Sequence, residues 1–193
     1  FDGNKATYGG AISQKAGTLV LHNAKFTSNN GEWNGGAIFH KKAVTLLNCK
    51  FTSNISVSKG GAVCSDGGTF DATNCEFTGN TSNDEGGAYR TAAGTTSNVI
   101  GCTFENNTAK KTGGGAIKFN SGTLTIDGCT FTGNVATLGD AKGHDIVMST
   151  TTTIPTIKNS TINPLNVRDS AGKAEVGSAA YWKLLQIMSK IAS

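Results

Sequence analysis

The sequence predicts an all-β chain: a right-handed, single-stranded parallel β-helix of about six to seven coils, followed by one C-terminal α-helix. Three observations predict it. The tetrapeptide F-x-x-N recurs six times at a nearly constant interval. A second motif, G-G-A followed by an apolar residue, recurs in phase with the first. The segments between them alternate apolar and polar residues with period two and contain no helical half.

The first motif stands at Phe1-Asn4, Phe26-Asn29, Phe51-Asn54, Phe77-Asn80, Phe104-Asn107 and Phe131-Asn134, at intervals of 25, 25, 26, 27 and 27 residues. The second begins at Gly9, Gly35, Gly60, Gly86 and Gly114, with a degraded copy at Gly143-His144-Asp145-Ile146. Seven residues before each Phe stand Leu19, Val44, Phe70, Ser97 and Leu124, and five before it Leu21, Leu46, Ala72, Val99 and Ile126. This is a strand with one face inward. Three residues before each Phe the column reads Asn23, Asn48, Asn74, Gly101, Gly128 and, one coil later, Asn159. Asn and Gly interchange where the backbone turns left-handed, so this column is a turn. Two or three short strands per repeat make one coil.

Stacking of identical residues at about 4.8 Å turns columns into ladders. Asn4, Asn29, Asn54, Asn80, Asn107 and Asn134 are expected to form an amide ladder, and Phe26, Phe51, Phe77, Phe104 and Phe131 a ring stack that fills the interior. Cys49, Cys75, Cys102 and Cys129 share an inward column with Ala24 and Ser160, so the position requires a small residue and the sulfurs read as stacked free thiols rather than disulfides. A line of sulfurs is also a poor tetrahedron, and no metal or cofactor is expected. Cys64 is out of phase and reads as a small strand residue. Ile157, Ser160 and Ile162 mark a weaker seventh coil.

The β-helix is assigned to residues 1–163 and a linker with an amphipathic helix to 164–193. Ser178 is the expected N-cap, and Tyr181, Leu184, Ile187, Met188 and Ile191 share a face that either caps the last coil or binds a partner. Phe1 falls inside a repeat, so its coil is incomplete. This end is expected to adjoin further chain or to self-associate.

The formal charge of +4 is mild and its basic residues are scattered, which argues against a nucleic-acid stripe. No apolar run is long enough for a membrane span. Solenoids of this pectin-lyase-like class include pectate lyases and polygalacturonases, which need clustered carboxylates. Here Glu32, Asp66, Asp71, Asp84, Glu85, Glu105 and Asp127 place no two carboxylates next to each other in one column, while Lys50 and Glu76 read as an ion pair between coils. His22, His40 and His144 fall at three different phases. No catalytic residue is assigned. Trp33, Tyr89 and Arg90 are the odd residues of the repeat: they read first as local packing variants and, as the alternative, as a candidate ligand patch.

The paired G-G-A-[ILVY] and F-x-x-N repeats resemble those of the chlamydial polymorphic outer-membrane proteins and other adhesin-like β-helices, over Phe1 to about Asn163. The resemblance implies a secreted or cell-surface passenger of bacterial or archaeal type that binds a surface glycan or protein. It brings no catalytic residues, and its barrel anchor has no counterpart here. The expected function is therefore a non-catalytic, adhesin-like stalk or binding module. A subunit stacking end to end and a polysaccharide lyase or hydrolase are the alternatives.

Overall fold

The structure, a computed structural model, describes residues 1–111, 113–137, 144–149, 153, 155–162 and 167–169. The described chain winds through four parallel sheets of five, six, seven and six strands. Sheet 1 carries the Phe column: Lys25–Thr27, Lys50–Thr52, Glu76–Thr78, Thr103–Glu105 and Thr130–Thr132. Sheet 2 follows the Asn column, from Lys5–Tyr8 and Asn30–Asn34 to Val135–Ala136. Sheet 3 follows G-G-A, from Ile12–Gln14 and Ile38–His40 to Val167–Asp169. Sheet 4 precedes the left-handed turn, from Leu19–His22 to Thr156–Lys158.

Two expectations need correction. Each turn has four strands, because the residues after F-x-x-N form a further short strand, such as Ile55–Ser56, too short to show a period. Five turns, not six to seven, are complete with one strand in every sheet; partial turns flank them at both ends. The weak last coil is one of these. Ile157 pairs with Ile126, the Cys129 amide donates to Ser160 Oγ at 3.0 Å, and Thr161 bridges Thr130. The helix expected after Ser178 lies outside the described residues.

The turns explain the motifs. Asn23, Asn48, Asn74, Gly101, Gly128 and Asn159 all have φ between +50° and +61°, as their column predicts. A second left-handed column sits just before each ladder Asn, at Gly3, Ser28, Ser53, Gly79, Asn106 and Gly133. In G-G-A, the first Gly at Gly35 has φ +71°. The second Gly is needed for space: a Cβ on Gly61 would strike the Gly87 carbonyl and the Thr81 backbone of the next turn.

The six Phe rings from Phe1 to Phe131 stack with centroids 4.7–4.9 Å apart and planes within 5°; Phe1 is exposed and the other five are buried. The asparagine ladder is continuous. Asn54 Nδ2 donates to Asn80 Oδ1 at 2.9 Å and to the Phe26 carbonyl at 2.9 Å, while its backbone N–H donates to the same Oδ1 at 3.0 Å. Asn4, Asn29, Asn80 and Asn107 donate to the next rung in the same way. Every rung gives toward the C-terminal side, so the last must find an acceptor. Asn134 donates to the carboxylate of Asp145, the residue that replaces Ala in the degraded G-G-A copy, at 2.9 Å. All five cysteines are buried free thiols. Cys49, Cys75 and Cys102 each donate a backbone N–H to the next sulfur at 3.3–3.4 Å.

Candidate functional site

The outward-facing residues of sheet 3 form the column Ser13, Phe39, Cys64, Arg90, Lys118, Val147 and Arg168. Although outward, Phe39, Cys64, Lys118 and Val147 are buried. Burial pushes the Cys64 thiol up to about 12 and holds the Lys118 ammonium below the usual lysine range. Glu85 sits between two cations, with its Oε2 3.5 Å from Arg90 Nε and 3.9 Å from Lys59 Nζ.

Of the three patch residues, only Trp33 lies open, with 59% of its surface exposed. Tyr89 is fully buried. It points inward, stacks on Phe70 at 4.3 Å, and shares its hydroxyl with Ser65 Oγ at 2.8 Å and Ser97 Oγ at 2.7 Å. Burial raises its phenol above the ordinary range. It therefore cannot face a ligand at the surface. Arg90 is half-buried against Glu85, in a turn two beyond that of Trp33. The structure does not bring the three together.

It brings Trp33 together with others. Tyr8 lies 6.1 Å from Trp33 and 4.9 Å from Phe39, ring centroid to centroid, with both pairs tilted at 46–48°. Tyr8 ends the first strand of sheet 2, Trp33 stands one residue from the end of the next, and Phe39 is second in the outward column of sheet 3, across the Gly35-Gly36 bend. These rings line a cleft of about 300 Å³ at the N-terminal turns, together with Lys15, Asn34, Lys41 and Asp66. Lys41 Nζ is 5.9 Å above the Phe39 ring and 3.1 Å from Asp66 Oδ2. Sequence reasoning missed Tyr8 and Phe39, yet the repeat contained the signal. Tyr8 precedes G-G-A where Asn34, Lys59 and Glu85 stand in later copies, and Phe39 follows G-G-A-I where Ser13 and Cys64 stand.

Among the described residues no three His, Cys, Asp or Glu side chains are grouped so as to hold a metal ion, and no helix is long and apolar enough to cross a membrane. The ladder residues Asn4 to Asn134, Phe26 to Phe131 and Cys49 to Cys129 lie in the interior away from the cleft; only Asn4 is exposed.

No curated protein and no solved structure matches the chain. The family model described as the right-handed β-helix region matches residues 33–173, most of the chain. With the parallel four-sheet solenoid already in view, the chain belongs to the right-handed β-helix family.

Proposed function

We propose that this chain is a non-catalytic binding module of a secreted or cell-surface protein, adhesin-like in role, and that its ligand is a surface saccharide taken up by the Tyr8–Trp33–Phe39 cleft. The observation that carries the reading is Trp33. A large ring with 59% of its surface in water, flanked by two further aromatic rings in a concave site, is what a sugar ring's C–H face stacks on. The solenoid supplies rigidity. The three aromatic rings of the cleft stand on strands of the solenoid, so little ordering is lost on binding.

One chemical feature supports binding over turnover. Asp66 is the sole carboxylate among the cleft's lining residues, whereas glycoside hydrolysis uses two flanking the scissile bond. The test is a glycan array probed with the protein and with Trp33→Ala, alongside an assay for new reducing ends. Expected are retention on a subset of glycans, at least a tenfold loss in the variant, and no cleavage. Equal binding by Trp33→Ala, binding to no glycan, or released fragments would each overturn the reading.

A further inference from the structure

Resting on that reading, we infer that the cleft selects an anionic saccharide, a sugar ring bearing a carboxylate or sulfate, and that Lys15 and Lys41 receive the anionic group. The cleft holds two ammonium groups against one carboxylate. Lys15 is exposed and has no ion-pair partner among the described residues. Lys41 is paired with Asp66, but their side chains are 49% and 42% exposed, and such a pair is weak enough to exchange partners. Lys5 and Glu32, paired at 3.1 Å, balance each other outside the cleft lining. The lining itself carries one positive charge in excess.

The geometry assigns each part a role. Trp33 and Tyr8 offer ring faces, Asn34 offers an amide that can both donate and accept, and the lysines offer donors with no acceptor capacity. A neutral sugar brings no counter-charge for Lys15, whereas an anionic substituent offers acceptors to Lys15 and, in exchange with Asp66, to Lys41. Asp66 opposes it: its carboxylate repels the ligand and competes for Lys41. At about 300 Å³ the cleft lies at the low end for small-molecule sites, which fits one or two sugar rings. The Lys41-Lys42 doublet, ordinary as a charge pattern, gains a specific place through Lys41.

The experiment compares methyl glucoside, methyl glucuronide and methyl glucoside 6-sulfate by calorimetry and by the shift of the Trp33 indole N–H resonance, identified through Trp33→Ala. Both anionic probes are expected to bind at least tenfold tighter than the neutral one, with the advantage shrinking in 0.5 M salt, as charge contacts are screened at about 3–4 Å. Lys15→Gln and Lys41→Gln should each weaken the anionic probes at least threefold, and the neutral one by a clearly smaller factor. Asp66→Asn should tighten the anionic probes at least twofold. All four side chains lie at the cleft surface, and unchanged melting temperatures would verify folding. If the neutral probe binds as tightly as the others, or Asp66→Asn weakens binding, the inference falls and the saccharide reading stands. If no probe moves the Trp33 resonance, both fall. A preference between glucuronide and sulfate identifies the anionic group within the class.

Discussion

His40 begins a chain of hydrogen bonds that runs through Ser65 and Tyr89 to Ser97. It lies in an inward column of sheet 3 and is fully buried, where Nε2 meets Ser65 Oγ at 2.5 Å and Nδ1 meets the Lys42 carbonyl at 2.9 Å. The Ser65 hydroxyl passes the contact to Tyr89 and on to Ser97, so a polar chain crosses the interior. Burial lowers the imidazole from 6.5 to about 4, against a smaller upward effect of the Lys42 carbonyl. The unfolded chain thus binds a proton that the folded one refuses between pH 6.5 and 4. Stability is whole above that window and falls as pH drops through it, by about 3 kcal/mol for a shift of this size. Urea titrations at pH 7 and 4.5 on the wild type and His40→Gln isolate the effect. The variant should lose most of the His-linked difference, and an unchanged pH dependence would disprove the assignment. Tyr89 belongs to the same network and is fully buried within it. Its compensation was in the sequence: Ser97 stands where Leu19, Val44, Phe70 and Leu124 stand in other turns, and a small polar residue there makes room for the ring and binds its hydroxyl. A column scanned for size alone marks Tyr89 as an outlier; scanned together with its partner column, it reads as packing.

At the scale of one turn, motifs with strict steric demands were legible and short strands were not. The Asn/Gly column predicted its left-handed backbone at six positions because only those residues sit there with little strain. Its counterpart before the ladder Asn was hidden by Ser28 and Ser53, which adopt the same φ without the usual residue type. The two-residue strands of sheet 2 were hidden for a different reason, since two residues cannot display a period. The two glycines of G-G-A look alike in the sequence but answer different demands: the first combines a left-handed backbone with a carbonyl that a Cβ would strike, Ile38 in the case of Gly35, whereas the second is needed for space alone. Replacing glycines of each kind separates the two costs. Gly17, outside the motif, isolates the conformational one: its φ is positive and no atom lies within 4 Å of where a Cβ would sit, so Gly17→Ala should cost about 1 kcal/mol through backbone strain alone. At Gly61 a Cβ overlaps backbone atoms of the next turn, which no rotamer relieves, so Gly61→Ala should lower stability by at least about 3 kcal/mol or prevent folding. Thermal melts of the two variants rank them, and similar melting temperatures would refute the packing explanation of the motif.

Across the whole molecule the ladders have a direction, and direction makes the solenoid more than a pile of equal turns. Asn54 and Asn80 each direct one side-chain N–H and the backbone N–H to the Oδ1 of the following rung, the other side-chain N–H going to a Phe carbonyl of the preceding turn, so a rung must both accept from one side and donate to the other. An acceptor-only residue fits only where nothing further has to be given, which is where Asp145 stands. Removing an interior side chain strands its predecessor's donors in a dry core: Asn80→Ala leaves the Asn54 backbone N–H and one Nδ2–H unpaired, at about 1–3 kcal/mol each. In a stack whose turns touch only their neighbours, such losses couple only between adjacent rungs. Asn54→Ala and Asn80→Ala share the broken bonds, so the double variant should lose less than the sum of the singles, by about 1–3 kcal/mol. Asn29→Ala and Asn107→Ala share none and should add to within about 0.5 kcal/mol. Denaturant unfolding of the two cycles measures both coupling energies. Equal coupling in the near and distant pairs would mean that the ladder acts through the whole core rather than rung to rung, and nearest-neighbour stacking would have to be abandoned as the account of this fold's stability.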